Sequence, residues 1–145
     1  MDTKVTAKMK IRKPANEVFE AIVNPEKMGN YWFSTGTGRL EEGQTVTWRY
    51  EEYGAEGKVH VLELETAKKI VFNWGEPEAE TTVTMNFLEE EDSAIVEVIE
   101  AGLKEDDPYL VQKMMGQTGG WIYMLSCLKA YLEHGISDLR ASLIH

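Results

Sequence analysis

Residues 3–12 alternate strictly between apolar and polar. Val5, Ala7, Met9 and Ile11 fall on one face, and Lys4, Thr6, Lys8, Lys10 and Arg12 on the other, which is the pattern of a half-buried strand. Pro14 then suits the first turn of a helix, where a missing N–H costs nothing. Val18, Phe19, Ile22 and Val23 make its apolar face, with Glu17 and Glu20 outside. Asn24-Pro25 ends it, because the residue before a proline is pushed out of the α region. A short second helix over 25–29 leads into the aromatic cluster Tyr31-Trp32-Phe33.

The period then changes from helical to alternating. Gly36, Gly38 and Gly43 punctuate a short strand and a turn. Over 45–53, Val46, Trp48 and Tyr50 share a face opposite Thr45, Thr47 and Arg49. A glycine-containing connection over 53–57 returns the chain into a strand over 58–65. Val59 and Val61 are its preferred inner pair, although His60, Leu62 and Leu64 compete for that face. Ile70, Phe72 and Trp74 share one face of the next strand, and Val83, Met85 and Phe87 one face of the strand after it. The acidic turn Glu89-Glu90-Glu91-Asp92 precedes a last strand in which Ala94, Val96, Val98 and Glu100 alternate with Ile95, Glu97 and Ile99. Gly102 ends the sheet.

Asp106, Asp107 and Pro108 then suit a helix start. Trp121, Leu125, Leu128 and Leu132 are spaced four, three and four apart, so they lie on one face of a long helix. The helix runs to about Glu133 and stops at Gly135; residues 136–145 are expected to add a loose helical turn through Leu139 and Leu143. Consecutive strands joined by tight turns predict an antiparallel meander. A sheet with one apolar face must cover it, and the long helix is the element able to do so. The expected fold is α+β: a curved antiparallel sheet of about six to seven strands wrapped around a long C-terminal helix. Two short helices follow the first strand, and residues 1–145 form a single domain.

Composition narrows the function classes. A chain of 145 residues suits one domain and can bury roughly 70% of its unfolded surface, so it needs no covalent staples. The net charge of −10 disfavours nucleic acid and anionic membranes as partners, since both call for clustered Lys and Arg. The acidity serves solubility, with an acidic face for a basic partner as the alternative. Cys127 stands alone and cannot form an intramolecular disulfide, which fits a reducing compartment. No signal core and no run near the ~20 apolar residues of a membrane span is present. The expectation is a soluble, cytoplasmic protein without membrane insertion.

In this order the segments resemble a helix-grip domain of the START-like, birch-pollen-allergen-like (SRPBCC) superfamily. They are most similar to the branch named after the C-terminal domain of the heat-shock protein 90 ATPase activator. Ile11 through Pro14, Val18 and Phe19 match the approach to the first helix. Asn24-Pro25-Glu26-Lys27 and Tyr31-Trp32-Phe33 match the segment that follows it. Glu42-Gly43 with Val46 and Trp48, Gly57 with Val59, and Ile70-Val71-Phe72-Asn73-Trp74 match the central strands. Glu100-Ala101-Gly102-Leu103 matches the close of the last strand, and Gly120-Trp121 with Leu125 and Leu128 the last helix. Two departures stand near the expected cavity rim: Glu42-Gly43 carries one glycine of the family's pair, and Tyr31-Trp32 replaces a paired tryptophan. The resemblance implies an apolar cavity between sheet and helix. It also implies two alternatives, a chaperone-interacting module and a cyclase- or dehydratase-like enzyme.

The residues that would line such a cavity are Trp48, Tyr50, Phe72, Trp74, Met85, Phe87, Val96 and Val98, roofed by Met114, Trp121 and Leu125. The competing reading is that they simply fill the core. Gly116, Gly119 and Gly120 favour a site, because each lowers helix stability by up to ~1 kcal/mol relative to alanine. Close approach to the sheet, room for a ligand, or a hinged lid would each explain them. The methionines Met9, Met85, Met114, Met115 and Met124 suit an adaptable apolar lining, or ordinary gap filling. Glu100 points inward by alternation and would need a partner: Tyr31, Tyr50, Asn73 or water. Alternatively, its strand-end position leaves it solvated.

Catalytic and metal-binding patterns are sparse. His60, His134 and His145 share no ligand spacing, and Cys127 beside Leu128 reads as a packing residue. Gly36-x-Gly38 lacks the helix and lysine of a phosphate loop. The leading expectation is non-catalytic binding of a small hydrophobic molecule, without cofactor or metal, through Tyr31, Trp48, Tyr50, Phe72, Trp74, Met85, Glu100, Met114 and Trp121. An enzyme would instead need Glu100 and Tyr31 or Tyr50 at hydrogen-bonding distance. Any site is expected under the glycines of the long helix.

Overall fold

The computed structural model describes residues 2–144. Strand β1 (Val5–Ile11) is followed by helices α1 (Ala15–Val23) and α2 (Pro25–Met28). Strands β2 (Thr35–Gly36), β3 (Thr45–Tyr50), β4 (Ala55–Glu65), β5 (Lys69–Trp74), β6 (Thr81–Glu90) and β7 (Ser93–Ala101) come next, and helix α3 (Leu110–His134) follows. The strands form one sheet in the order β1-β7-β6-β5-β4-β3-β2, every pair antiparallel. Six strands are a simple meander. The sixth pairing, β1 with β7, sets the first strand beside the last and places Val5 opposite Glu100. No helix among the described residues is long and apolar enough to cross a membrane.

Local chemistry sets the boundaries. Asn24 ends α1 in an extended conformation and its side chain caps α2, accepting from the Glu26 N–H at 3.0 Å. Gly54, at φ 59°, closes a single 3-10 turn over Glu51–Tyr53, so β3 stops at Tyr50 and β4 begins before Gly57. The contest within β4 is resolved by a bulge. Val59 and Val61 are buried, the register shifts between Val61 and Glu63, and Leu64 then packs against the core while Leu62 is exposed. One extra residue in the bulge reverses the in–out parity.

The C-terminal half of α3 docks along β1. Trp121, Met124, Leu125, Cys127 and Leu128 are buried. The Lys129 ammonium donates to the Lys10 carbonyl at 2.8 Å, and Glu133 accepts from the Arg12 N–H at 2.9 Å. Trp48, Phe72, Val83, Met85, Val96 and Val98 form the sheet side of this core. In the first turns of α3 only Leu110 is buried, and Val111 and Met115 are exposed.

Residues 136–144 do not extend the helix. Gly135, at φ 69°, terminates it, and the tail crosses back over the aromatic end of β3. There the Tyr50 hydroxyl donates to the Arg140 carbonyl at 3.0 Å, and the Tyr123 hydroxyl donates to the Leu139 carbonyl. Residue 145, and with it His145, lies outside the described residues.

Candidate functional site

Alternation along β7 sends Val96, Val98 and Glu100 to the concave face, and Glu100 is only 2% exposed there. An unsatisfied buried carboxylate would be costly. Four donors meet it instead. The Trp74 indole N–H (3.0 Å) and the Thr81 hydroxyl (2.5 Å) donate to Oε2. The Gln117 amide and the Trp121 indole N–H donate to Oε1, both at 2.8 Å. An ionised carboxylate is acceptor-only with about four lone-pair sites, so this set fills it.

Each donor arrives through secondary structure. Trp74 and Thr81 are register partners at the facing ends of β5 and β6. Gln117 and Trp121 are four apart on one face of α3. A single side chain therefore ties three strands to the helix. The sequence suggested Tyr31, Tyr50, Asn73 or water as partners. Tyr31 instead donates to the Ala21 carbonyl at 2.8 Å, Tyr50 to Arg140, and Asn73 accepts from the Thr82 hydroxyl at 2.7 Å. The tyrosine–Glu100 pair that an acid–base mechanism would require is not assembled. Burial holds the Tyr31 phenol well above its ordinary range and pushes Tyr50 up to about 12, so both are neutral donors.

Next to Glu100 the sheet and helix part to leave a cleft of ≈ 380 Å³. Trp74, Thr81 and Glu100 line it from the sheet, Leu103 from the following loop, and Leu110 and Gln117 from α3. Gly75 (φ 109°) and Gly102 (φ 102°) shape its edge by turning the chain sharply out of β5 and β7. Lys113, paired with Asp107, stands at the rim. A second pocket of ≈ 110 Å³ lies between Trp32, Trp74, Gln117, Gly120 and Trp121. A third, of ≈ 220 Å³, is walled by Tyr31, Trp32, Tyr50, Tyr53 and Tyr123.

The sequence-derived candidates separate into two groups. Trp74 and Glu100 border the ≈ 380 Å³ cleft, Trp121 the ≈ 110 Å³ pocket, and Tyr31 and Tyr50 the ≈ 220 Å³ pocket. Trp48, Phe72 and Met85 are fully buried in the core. Trp48 packs ring against ring with Trp32 (4.9 Å), Phe33 (5.2 Å) and Phe72 (5.6 Å). Met114 is half-buried against the same core. Gln117 and Thr81 were not legible as site residues, although Gln117 shares the helical stripe of Trp121.

The glycines of α3 have a clear structural context. A Cβ built at Gly116, Gly119 or Gly120 would meet nothing within 4 Å, so close approach of helix and sheet does not explain them. Gly120 borders both smaller pockets. Cys127 is buried and burial pushes its thiol up, away from reactivity. Among the described residues no cluster of His, Cys, Asp or Glu could hold a metal ion.

Comparison with known proteins places this geometry. Residues 12–133 match the family described as activator of Hsp90 ATPase homolog 1-like protein. No curated protein matches the chain. Among solved structures, the protein SSP2350 from Staphylococcus saprophyticus is 41% identical, with a TM-score of 0.81 over 92% of this chain and 94% of that one. The Aha1 dimer from Colwellia psychrerythraea is 18% identical, with a TM-score of 0.79 over 91% of this chain and 97% of that one. DynU16, from the dynemicin biosynthetic locus, is 18% identical with a TM-score of 0.84; 97% of this chain aligns with 50% of that one. At 18% identity the last two are likenesses of fold.

Proposed function

This chain belongs to the activator of Hsp90 ATPase homolog 1-like family, and we propose that it binds a small, largely hydrophobic molecule without transforming it. The observation that carries this reading is the ≈ 380 Å³ cleft beside Glu100. Its size falls within the range of small-molecule sites, ~300–1,000 Å³, and its walls are mostly apolar with a few convergent polar groups. Trp74, Leu103 and Leu110 offer the contact area. Gln117 is the polar group best placed to orient a ligand, because it spans the boundary between the cleft and the carboxylate.

Binding without chemistry is favoured by the state of Glu100. Its lone pairs are occupied by four neutral donors, and neither Tyr31 nor Tyr50 reaches it, so Glu100 has no phenol partner for acid–base chemistry. The exposed glycines of α3 fit a roof that can shift when the cleft fills.

A thermal-shift and native mass-spectrometry screen with fatty acids and neutral aromatics tests the reading. A bound ligand should raise the melting temperature in proportion to the logarithm of its concentration. Leu103→Trp, which fills the cleft, should abolish that rise while the protein still melts cooperatively. Ligand-induced stabilisation that survives Leu103→Trp would refute the location, and the absence of any stabilising ligand would refute the function.

A further inference from the structure

The C-terminal tail builds a second polar site. It shares no lining residue with the Glu100 cleft. Its centre is Arg140, whose side chain is only 10% exposed although it lies outside every helix and strand. Three contacts fix the guanidinium. Nε donates to the Trp32 carbonyl at 2.8 Å, Nη2 donates to the Ser34 hydroxyl at 2.9 Å, and the group sits 5.0 Å from the Tyr50 ring centroid.

The fourth partner differs from the others. Glu52 accepts from Nη1, and from Nη2 at 3.1 Å, yet its side chain is 41% exposed and is carried by the single 3-10 turn Glu51–Tyr53. Glu52 also accepts from the Ser34 hydroxyl at 2.7 Å, so the cation is the buried half of this pair and the carboxylate the half that faces solvent. Beside the guanidinium opens the ≈ 220 Å³ pocket, walled by five aromatic rings.

A planar fork of N–H donors at the wall of an aromatic pocket matches one ligand chemistry well. The fork pairs with a carboxylate, and the rings pair with a flat apolar body. We infer that this pocket binds a small aromatic carboxylate, and that Glu52 occupies Arg140 until the ligand's carboxylate displaces it. The exchange keeps one charge-assisted pair in place of another, so no buried cation is left bare. The gain comes from burying the ligand's ring among Tyr31, Trp32, Tyr50 and Tyr123. The chain's overall negative charge opposes an anion only weakly, since charges beyond ~10 Å are screened at 0.1 M salt.

The test titrates the full chain with indole-3-acetate and 4-hydroxybenzoate, and in parallel with the corresponding primary amides. Binding is followed by calorimetry and by the NMR signals of the tyrosine rings. The acids should bind and shift Tyr50 and Tyr123, and the amides should bind about tenfold or more weakly, having lost a charge-assisted pair. Glu52→Gln should tighten the acids by removing the internal competitor. Arg140→Gln should erase the preference for acid over amide. The acid–amide comparison on the unaltered chain stands even if Arg140→Gln loosens the tail. Equal binding of acid and amide, no saturable binding at millimolar concentration, or shifts at Trp74 in place of Tyr50 would each overturn the inference. The Glu100 cleft contributes no residue here, so shifts at Trp74 would report binding in that cleft, and the other outcomes leave the hydrophobic-ligand reading untouched.

Discussion

Two charged side chains tie the long helix and its tail to the rest of the molecule, and they do so in different surroundings. Glu100 is almost wholly buried and is held by neutral donors from β5, β6 and α3. Arg140 is held by a carbonyl, a hydroxyl, a ring face and a carboxylate that is itself partly exposed. The first arrangement must be complete to exist, because a buried charge short of its hydrogen bonds is expensive. The second contains one partner that can be exchanged. The contrast separates a structural clamp from a contact suited to recognition. Around Gln117 and Trp121, its two donors to Glu100, α3 carries Gly116, Gly119 and Gly120, all exposed and with open space where a Cβ would stand.

The comparison breaks first at Glu100. Glu100→Ala would leave two indole N–H groups and the Gln117 amide without their acceptor. A loss of about 3–5 kcal/mol in stability is expected, read by urea denaturation. Glu100→Gln should also destabilise, by about 1–3 kcal/mol, because its NH₂ would face groups that are themselves donors. If Glu100→Ala lowers stability by no more than a surface substitution does, the clamp interpretation fails.

Arg140→Ala should be milder, about 1–2 kcal/mol, since it removes a partly exposed ion pair and one ring contact. Its effect should be local. Amide exchange should accelerate over 136–144 and in the Glu51–Tyr53 turn, and leave β6 and β7 unchanged. Acceleration spreading into the central strands would show that the tail is part of the main core.

Gly119→Ala should act in the opposite direction. An added Cβ meets no neighbour, so the helix should gain up to ~1 kcal/mol from propensity alone. Thermal melts of the single and triple alanine variants would show it. If stability rises while ligand binding weakens, the glycines serve motion of the helix over the cleft.

The smallest effect is the pH dependence of the Glu52 contact. The Arg140 guanidinium, helped by the Ser34 hydroxyl, holds the Glu52 carboxyl at about 2 against an ordinary 4.5. Its folded-state pKa is lowered, so the contact stabilises fully above pH 4.5 and is lost as pH falls towards 2. With the carboxylate partly exposed, the contribution is under about 1 kcal/mol. The stability difference between the parent and Glu52→Gln should therefore be present at pH 6 and vanish near pH 2. A difference that persists at pH 2 would assign the effect to something other than this charge.

Much of this was legible in the sequence because periodicity is a local property. The inward faces of β3, β5, β6 and β7 follow from alternation, and so does the inward direction of Glu100. The apolar stripe from Trp121 to Leu128 follows from helical spacing. The resemblance to the family rested on the order of such segments, and the match over residues 12–133 shows the family. The β4 register was ambiguous because a bulge changes parity midway, and no composition signal marks it.

What the chain could not reveal were meetings between distant residues. Trp74 and Thr81 reach Glu100 only because of strand register, and Gln117 only because of how α3 docks on the sheet. Arg140 lies in a segment whose only pattern, the Leu139–Leu143 spacing, suggested a helical turn that does not form, so neither its burial nor its pairing with Glu52, 88 residues away, had a local trace. The sequence by itself determined which faces of most strands and of the long helix are apolar, the order of the elements, and that one long helix must cover one sheet. Tertiary structure alone decided which interior positions are filled by the protein's own rings and which stay open. Filling depends on the distance between packed elements, and that distance is set by all their side chains together.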